Sequence, residues 1–375
     1  MQSELQSTLS KKTFRQSNIE LLRIVAMLLI ICHHFSLYSG FNYPTDTLSI
    51  NRLWVQFVQM GGKIGVNIFI LISGYFLVSA QSIKTSKIVK FWGQVFFYSM
   101  CTFVIFVASG LRPFGIEELI HHLFPIIFAQ WWFPTLYFLL LLLAPYINRF
   151  LRTMDRLQYA CFLVVLSIIW CIIPTFTEQM MQCNLLLCSI FVYSIGGYIK
   201  TFNVKVKSSS LKLIGLAIFT IGLTFSTVIL FDYLGIKHSF FANRITTFYD
   251  MWDLPIIIIS VLLFLGFIKI NIPYNKYINA ISAATFGVYL IHENGYIRPI
   301  IWDSIFKTVS YSNSNMLIPY SLFVIVAIFA GCTIIEVARI QLIENNCIKI
   351  INRTASFIDK RIDRWIICKI KDRIR

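Results

Sequence analysis

Charge is what this sequence has least of. Only 13% of its 375 residues are Asp, Glu, Lys or Arg, against 57% hydrophobic residues and a mean hydropathy of +0.72. A soluble chain of that composition would present more apolar surface than water tolerates, which argues against a free-standing soluble enzyme and for a membrane protein. Cysteine pairing is missing too. The nine cysteines are odd in number, scattered and without a Cys-x-x-Cys motif, so they specify neither a disulfide framework nor a zinc site, and no metal is expected. Also absent are a P-loop, a dinucleotide fingerprint, a His-Glu-x-x-His and a Gly-x-Ser-x-Gly, which removes the common cofactor and hydrolase motifs. There is no internal repeat and no low-complexity linker, and the longest polar stretches are the C-terminal tail and the segments 39–61 and 232–250.

What is present is a series of apolar runs of the length a hydrocarbon core of roughly 30 Å demands of a helix. Ten candidates fall at 18–38, 62–80, 91–110, 131–149, 157–174, 183–200, 211–231, 252–270, 277–297 and 316–338. The expected fold is therefore an all-α integral membrane bundle of about ten helices. Its membrane domain spans residues 18–338, between a short N-terminal segment, 1–17, and a basic tail, 339–375. Lysines and arginines in short loops stay on the cytoplasmic side, and an inside N-terminus places most of the 33 basic residues there. An even number of spans with both termini cytoplasmic follows. The net charge of +16 is spread over many such loops rather than gathered on one face, so nucleic acid is not expected as a partner. The tail from Arg353 alternates charge with Ile and Trp and suits either an amphipathic helix on anionic lipid or a solvated segment. The first apolar run is long and lacks a small-residue cleavage site, so a membrane helix is expected there rather than a signal peptide.

Ionisable groups at membrane depth are costly unless paired or facing a wet cavity, which makes each a functional candidate. The first run, NIELLRIVAMLLIICHHF, holds the best set. Arg23 and His34 are eleven residues apart, about three turns plus 20°, so both project from one face with an axial separation of about 16 Å. Glu20 lies one turn from Arg23 and can pair with it, whereas His33 is turned about 80° away from that stripe. An interfacial ion pair for Glu20 and Arg23, and a packing histidine at position 34, are the plainer readings. A basic residue and an imidazole on one stripe also suit a cavity that takes a charged cytoplasmic molecule and acts on something outside.

Further candidates are weaker. His292 and Glu293 stand near the external end of the ninth run, where helix-end polarity alone could explain them. Asn67, Ser73 and Gly74 interrupt the second run, and small residues there also serve close helix packing. Trp132 suits a membrane anchor, while Tyr137 lies deeper. Lys84, Lys87 and Lys90 are three apart and form one basic ridge on a helix; they fit both the charge bias of a cytoplasmic loop and the grip of a phosphorylated acyl carrier.

Taken in order, these separated motifs resemble the acyltransferase 3 family over about Ile19 to Arg339. The family's first helix bears a basic residue, ten intervening residues and a histidine, matched here by Arg23, His34 and the following Phe35; His33 falls outside that spacing. The second-helix pattern is matched by Gly65, Val66, Asn67, Ser73, Gly74 and Tyr75, with Asn67 standing where many members have an acid. Trp132, Phe133, Tyr137, Pro145 and Asn148 match a third pattern, TFGVYLIHEN at 285–294 a fourth, and Glu336 with Arg339 the pair that closes the last helix. Lysines at 84, 87 and 90 replace the arginines of many members and lose the bidentate fork.

The resemblance implies an O-acyltransferase of a bacterial cell membrane that moves an acyl group from acetyl-CoA, as co-substrate, to a hydroxyl of a lipid-linked or exported polysaccharide. Membrane lipids are its surroundings and no cofactor is held permanently. Export of polysaccharide is the alternative the same family offers. The implied catalytic set is His34 as base, with Arg23 oriented by Glu20. Asn67, Ser73, the three lysines, Trp132, Tyr137, His292 and Glu293 are the implied donor- or substrate-binding residues.

Overall fold

The computed structural model describes residues 16–44 and 47–347, with scattered positions between 352 and 361. Most of the N-terminal segment and most of the basic tail lie outside the described residues. Among the described residues the regular structure is helical, with no strand. The main helices are α1 (Ser17–Tyr38), α2 (Ile50–Leu77, interrupted at Met60), α3 (Thr85–Ala108), α4 (Ile116–Leu123), α5 (Trp132–Leu151) and α6 (Arg156–Thr177). They continue with α7 (Leu185–Thr201), α8 (Ser210–Gly235), α9 (Leu254–Lys269), α10 (Lys276–His292) and α11 (Leu317–Cys347).

Each of the ten expected runs is helical. Seven helices, α1, α2, α3, α5, α6, α8 and α11, are long and apolar enough to cross a membrane. α7 and α9 are apolar but shorter, at 17 and 16 residues, which at 1.5 Å per residue is about 25 Å. α10, also 17 residues, carries buried Asn279, Ser282 and Thr285 on its inner side. The expected external segment 39–61 is partly helical, because α2 begins at Ile50, where the Ser49 side chain accepts the Arg52 N–H. Asp155 with Gln158 forms a capping box at the start of α6, and Asn184, Ser209 and Asn275 cap α7, α8 and α10.

Packing follows from small residues and from saturated polar groups. α2 and α7 approach closely through Gly74, which faces the backbone of Tyr193, and Gly196, which faces that of Leu71; a methyl group at either would strike a carbonyl. α1 packs against α2, α9, α10 and α11 and so runs through the middle of the bundle. Two charged clusters sit inside. Arg52 pairs with buried Asp232 and ties the loop before α2 by donating to the Pro44 and Thr47 carbonyls. Glu336, fully buried, accepts from Tyr98, from Gln94 at 2.8 Å and from both Nε and Nη2 of Arg339 at 2.7 and 2.8 Å. Arg339 reaches Glu344 at 2.7 Å, and Glu344 holds Lys90 at 2.5 Å. Buried ions are tolerated when partners are supplied in this way; of these carboxylates, Asp232 keeps one oxygen, Oδ2, without a hydrogen bond.

Candidate active site

The stripe on α1 meets two cavities in succession. Near its start, the buried Glu20 carboxylate accepts from Ser282 of α10 at 2.5 Å. Arg23 Nε lies 3.9 Å from the same oxygen, within ion-pair range but too far for a hydrogen bond. That Nε is buried without an acceptor, although 33% of the side chain is accessible. Both residues line a cavity of about 320 Å³ with Ser73, Tyr137, Ser282 and a wall of Phe69, Phe91, Phe133 and Phe286. Ser73 donates to the Phe69 carbonyl at 2.8 Å, and its hydroxyl lies 3.1 Å from that of Tyr137. A guanidinium left unsaturated by its protein partner, on the wall of a largely aromatic cavity, is available to an oxygen of a ligand.

Further along α1, a second cavity of about 110 Å³ is lined by His33, His34, Tyr38, Lys63, Trp132 and Tyr289. Lys63 Nζ stands 5.4 Å from the centre of the Trp132 ring. Tyr289 lines both cavities, is 1% exposed, and its hydroxyl makes no close hydrogen bond. Its ring is therefore the partition between them.

The hydrogen bonds behind His34 fix its tautomer. His292 Nδ1 lies 2.6 Å from the Val288 carbonyl. A carbonyl can only accept, so the neutral His292 ring carries its proton on Nδ1 and presents a lone pair at Nε2. That Nε2 is 2.9 Å from His34 Nδ1, which must donate to it. In neutral His34 the other nitrogen, Nε2, is then without a proton and can act as a base. The Glu293 carboxylate stands ready for the product of that step. Its Oε1 accepts from Tyr38 at 2.7 Å and from Arg298 at 3.3 Å, whereas Oε2 has no hydrogen bond and lies 3.5 Å from His34 Nδ1. An imidazolium at His34 would face a carboxylate already oriented by two donors, the arrangement that supports a histidine base.

His33 also lines this cavity, despite its turn away from the stripe. What separates the two histidines is their backing. His33 Nδ1 donates to the Gln59 carbonyl at 2.6 Å, with no carboxylate behind it, and Gly62 leaves room for its ring.

The other candidates divide. Ser73 and Tyr137 join Glu20 and Arg23 in the larger cavity, and Trp132 joins His34 in the smaller, with His292 and Glu293 directly behind. Asn67 lines neither; it is buried and donates to the Met251 carbonyl at 2.8 Å, holding α2 to the segment before α9. Asn148 is a similar strut, donating to the Leu77 and Ala80 carbonyls. Lys84, Lys87 and Lys90 are exposed where α3 begins, beside the cavity-lining Phe91, but Lys90 is engaged by Glu344.

Among the polar residues on the cavity walls, Lys63, Ser282 and Tyr289, the last within the TFGVYLIHEN pattern, were not among the expected site residues. Tyr289 lies three residues before His292, so helical spacing alone puts the two on one face. Lys63, a cation inside an apolar run, carried the same signal as Arg23. Ser282 gave no signal, since its contact with Glu20 spans 262 residues.

The comparison with known families speaks to the bundle as a whole. A family model described as an acyltransferase domain matches residues 16–337, nearly the whole of the helical bundle. Neither a curated protein nor a solved structure matches the chain. A match of that extent, over a bundle whose apolar helices are built to cross a lipid bilayer, makes the chain a membrane acyltransferase belonging to the acyltransferase 3 family.

Proposed function

We propose that the protein moves an acetyl group from acetyl-CoA to a hydroxyl of a lipid-linked or exported polysaccharide in a bacterial cell membrane. The observation that carries this reading is the hydrogen-bond relay from Val288 through His292 to His34, with the orphan oxygen of Glu293 beside it. Acyl transfer to a hydroxyl needs a base for the proton, donors for the oxyanion and a grip on the donor's phosphates.

His34 Nε2 takes the proton from the sugar hydroxyl in the smaller cavity, and the hydroxyl oxygen attacks the thioester carbonyl. The tetrahedral oxyanion forms where donor and acceptor cavities meet, at Tyr289, whose hydroxyl has no close partner to give up. Collapse breaks the carbon–sulfur bond, and the proton held by His34 returns to the departing thiolate. Arg23, held near the Glu20 carboxylate, binds the donor from the larger cavity. Lys84 and Lys87, exposed at the adjoining end of α3, suit its phosphates as point charges.

The test is transfer of radiolabelled acetyl from acetyl-CoA to glycan in membranes of matched protein content. His34→Ala is expected to lower the rate by about 10²–10⁴-fold, the range of a general base. A rate within a few-fold of the parent would remove His34 from the chemistry and with it this mechanism.

A further inference from the structure

A third cavity, of about 120 Å³, lies beside the His34 site and is lined by His122, Gln130, Trp131, Asn294, Gly295 and Tyr296. Its position follows from two pairs of consecutive residues. Trp132 lines the His34 cavity while Trp131 lines this one, and Glu293 backs His34 while Asn294 lines this one. The two chambers therefore share walls made by adjacent residues of α5's entry and α10's exit.

The lining is neutral, aromatic at two positions and polar at three. Trp131 is 3% exposed, and its indole N–H is buried with no acceptor. A buried donor left unpaired is costly, so a small shift of this wall residue that brings its N–H to an oxygen in the cavity would be favoured. The Ser99 hydroxyl lies 2.7 Å from the Gln130 side-chain oxygen and 2.9 Å from the His122 carbonyl, and when its one proton goes to Gln130 the NH2 of that amide is its free donating end. His122 Nδ1 donates to the Ser99 carbonyl at 2.9 Å, so Nε2 is an acceptor, and burial holds this imidazole below its ordinary pKa and hence neutral. Asn294 is spent on the turn, its oxygen accepting the Tyr296 N–H at 2.9 Å.

We infer that this cavity is a subsite for a neutral sugar ring of the acceptor glycan, the neighbour of the sugar acylated at His34. The chemistry is that of a pyranose: the Trp131 ring for a C–H face, donors at Trp131 and Gln130 and an acceptor at His122 for its hydroxyls, with Tyr296 as a wall held by Phe106, Arg112 and Glu118. An acyl chain would leave those polar groups unpaired, and an anion would find no cation among the lining residues. The inference rests on the acyltransferase reading for its biological sense but not for its test.

Saturation-transfer NMR on the full chain in phospholipid nanodiscs, offered the methyl glycosides of glucose, galactose, mannose and N-acetylglucosamine, reads the subsite directly. At least one glycoside is expected to receive saturation on its ring protons. Trp131→Phe, which keeps a ring and deletes the N–H, and Gln130→Ala, at the half-buried rim, should each weaken binding by about fivefold, the weight of one hydrogen bond. No transfer to any of the four, or equal transfer in the parent and both variants, overturns the subsite. Acetyl-CoA binding by calorimetry on the same nanodiscs separates the two readings. Protein that binds acetyl-CoA but no glycoside fails the subsite alone, and protein that binds glycosides but not acetyl-CoA fails the donor reading alone.

Discussion

The molecule contains the same small motif twice, a glutamate followed three residues later by an arginine inside an apolar helix, and the two copies have opposite fates. Glu336 and Arg339 on α11 meet at 2.7 and 2.8 Å, and Gln94 and Tyr98 on one side and Glu344 on the other add further hydrogen bonds to the pair. Glu20 and Arg23 on α1 stand 3.9 Å apart, with Arg23 Nε unpaired on the wall of a cavity. Identical spacing thus yields a closed ionic joint in one place and, in the other, a cation that its own glutamate does not hydrogen-bond. The difference lies in neighbours supplied by distant parts of the chain, not in the pair itself. Saturation marks a structural role, and a deficit beside a cavity marks a chemical one.

The largest effect should come from breaking the closed pair. Arg339→Ala leaves two buried carboxylates short of their common partner and should cost about 3–5 kcal/mol of stability. It would be seen as a fall in apparent melting temperature and in folded yield, with activity falling only in step with folded protein. A thermally normal but inactive Arg339→Ala would place this pair in the chemistry and erase the contrast.

Arg23→Ala should do the reverse, lowering acetyl transfer by about 10²–10³-fold, the loss typical of one electrostatic contact in a reaction site, with a melting temperature close to that of the parent. Arg23→Lys sharpens the comparison, because lysine keeps the charge but not the planar fork. A residual rate about tenfold or more below the parent is expected, since a tenfold loss corresponds to 1.36 kcal/mol of transition-state binding. Parity of Arg23→Lys with the parent would reduce Arg23 to an interfacial charge.

A smaller effect belongs to His33→Ala. Both histidines face one cavity, but only His34 has His292 and Glu293 behind it, so His33→Ala should keep most of the activity that His34→Ala loses, in the same transfer assay. Equal losses would mean that the backing groups do not distinguish them. The smallest effect is expected from replacing Lys84 and Lys87 with glutamine while leaving Lys90 in its pair with Glu344. The KM for acetyl-CoA should rise a few-fold with kcat little changed, the signature of lost uniform binding; an unchanged KM would return both lysines to a purely topological role.

Local features of the site could be read from the sequence, and distant pairings could not. Helical spacing placed Glu20 beside Arg23 and put Arg23 and His34 on one stripe, and the apolar runs gave the helices. The same spacing set His33 aside, yet a cavity wall is wider than a stripe and takes in both rings. The partnership of His34 with His292 spans 258 residues, and no periodicity within one helix encodes it. Lys90 looked like its two neighbours, and only the fold brings Glu344 to it. Asn67, buried and polar in an apolar run, carried the same signal as a site residue, but its amide is used to hold the Met251 carbonyl.

The single-ring partition at Tyr289 has an electrical consequence. If the two cavities open toward opposite faces of the membrane, as the proposed reaction requires, a membrane potential falls most steeply across the layer that this side chain occupies. Each elementary charge carried through that layer works against about 2.3 kcal/mol per 100 mV. An acetyl group is neutral and would pass without that work, whereas the phosphates of acetyl-CoA, the proposed donor, would have to climb the field. On the proposed reaction, one phenol in this position would let a neutral acyl group cross while the charged remainder of the donor, and the voltage, stayed on their own sides.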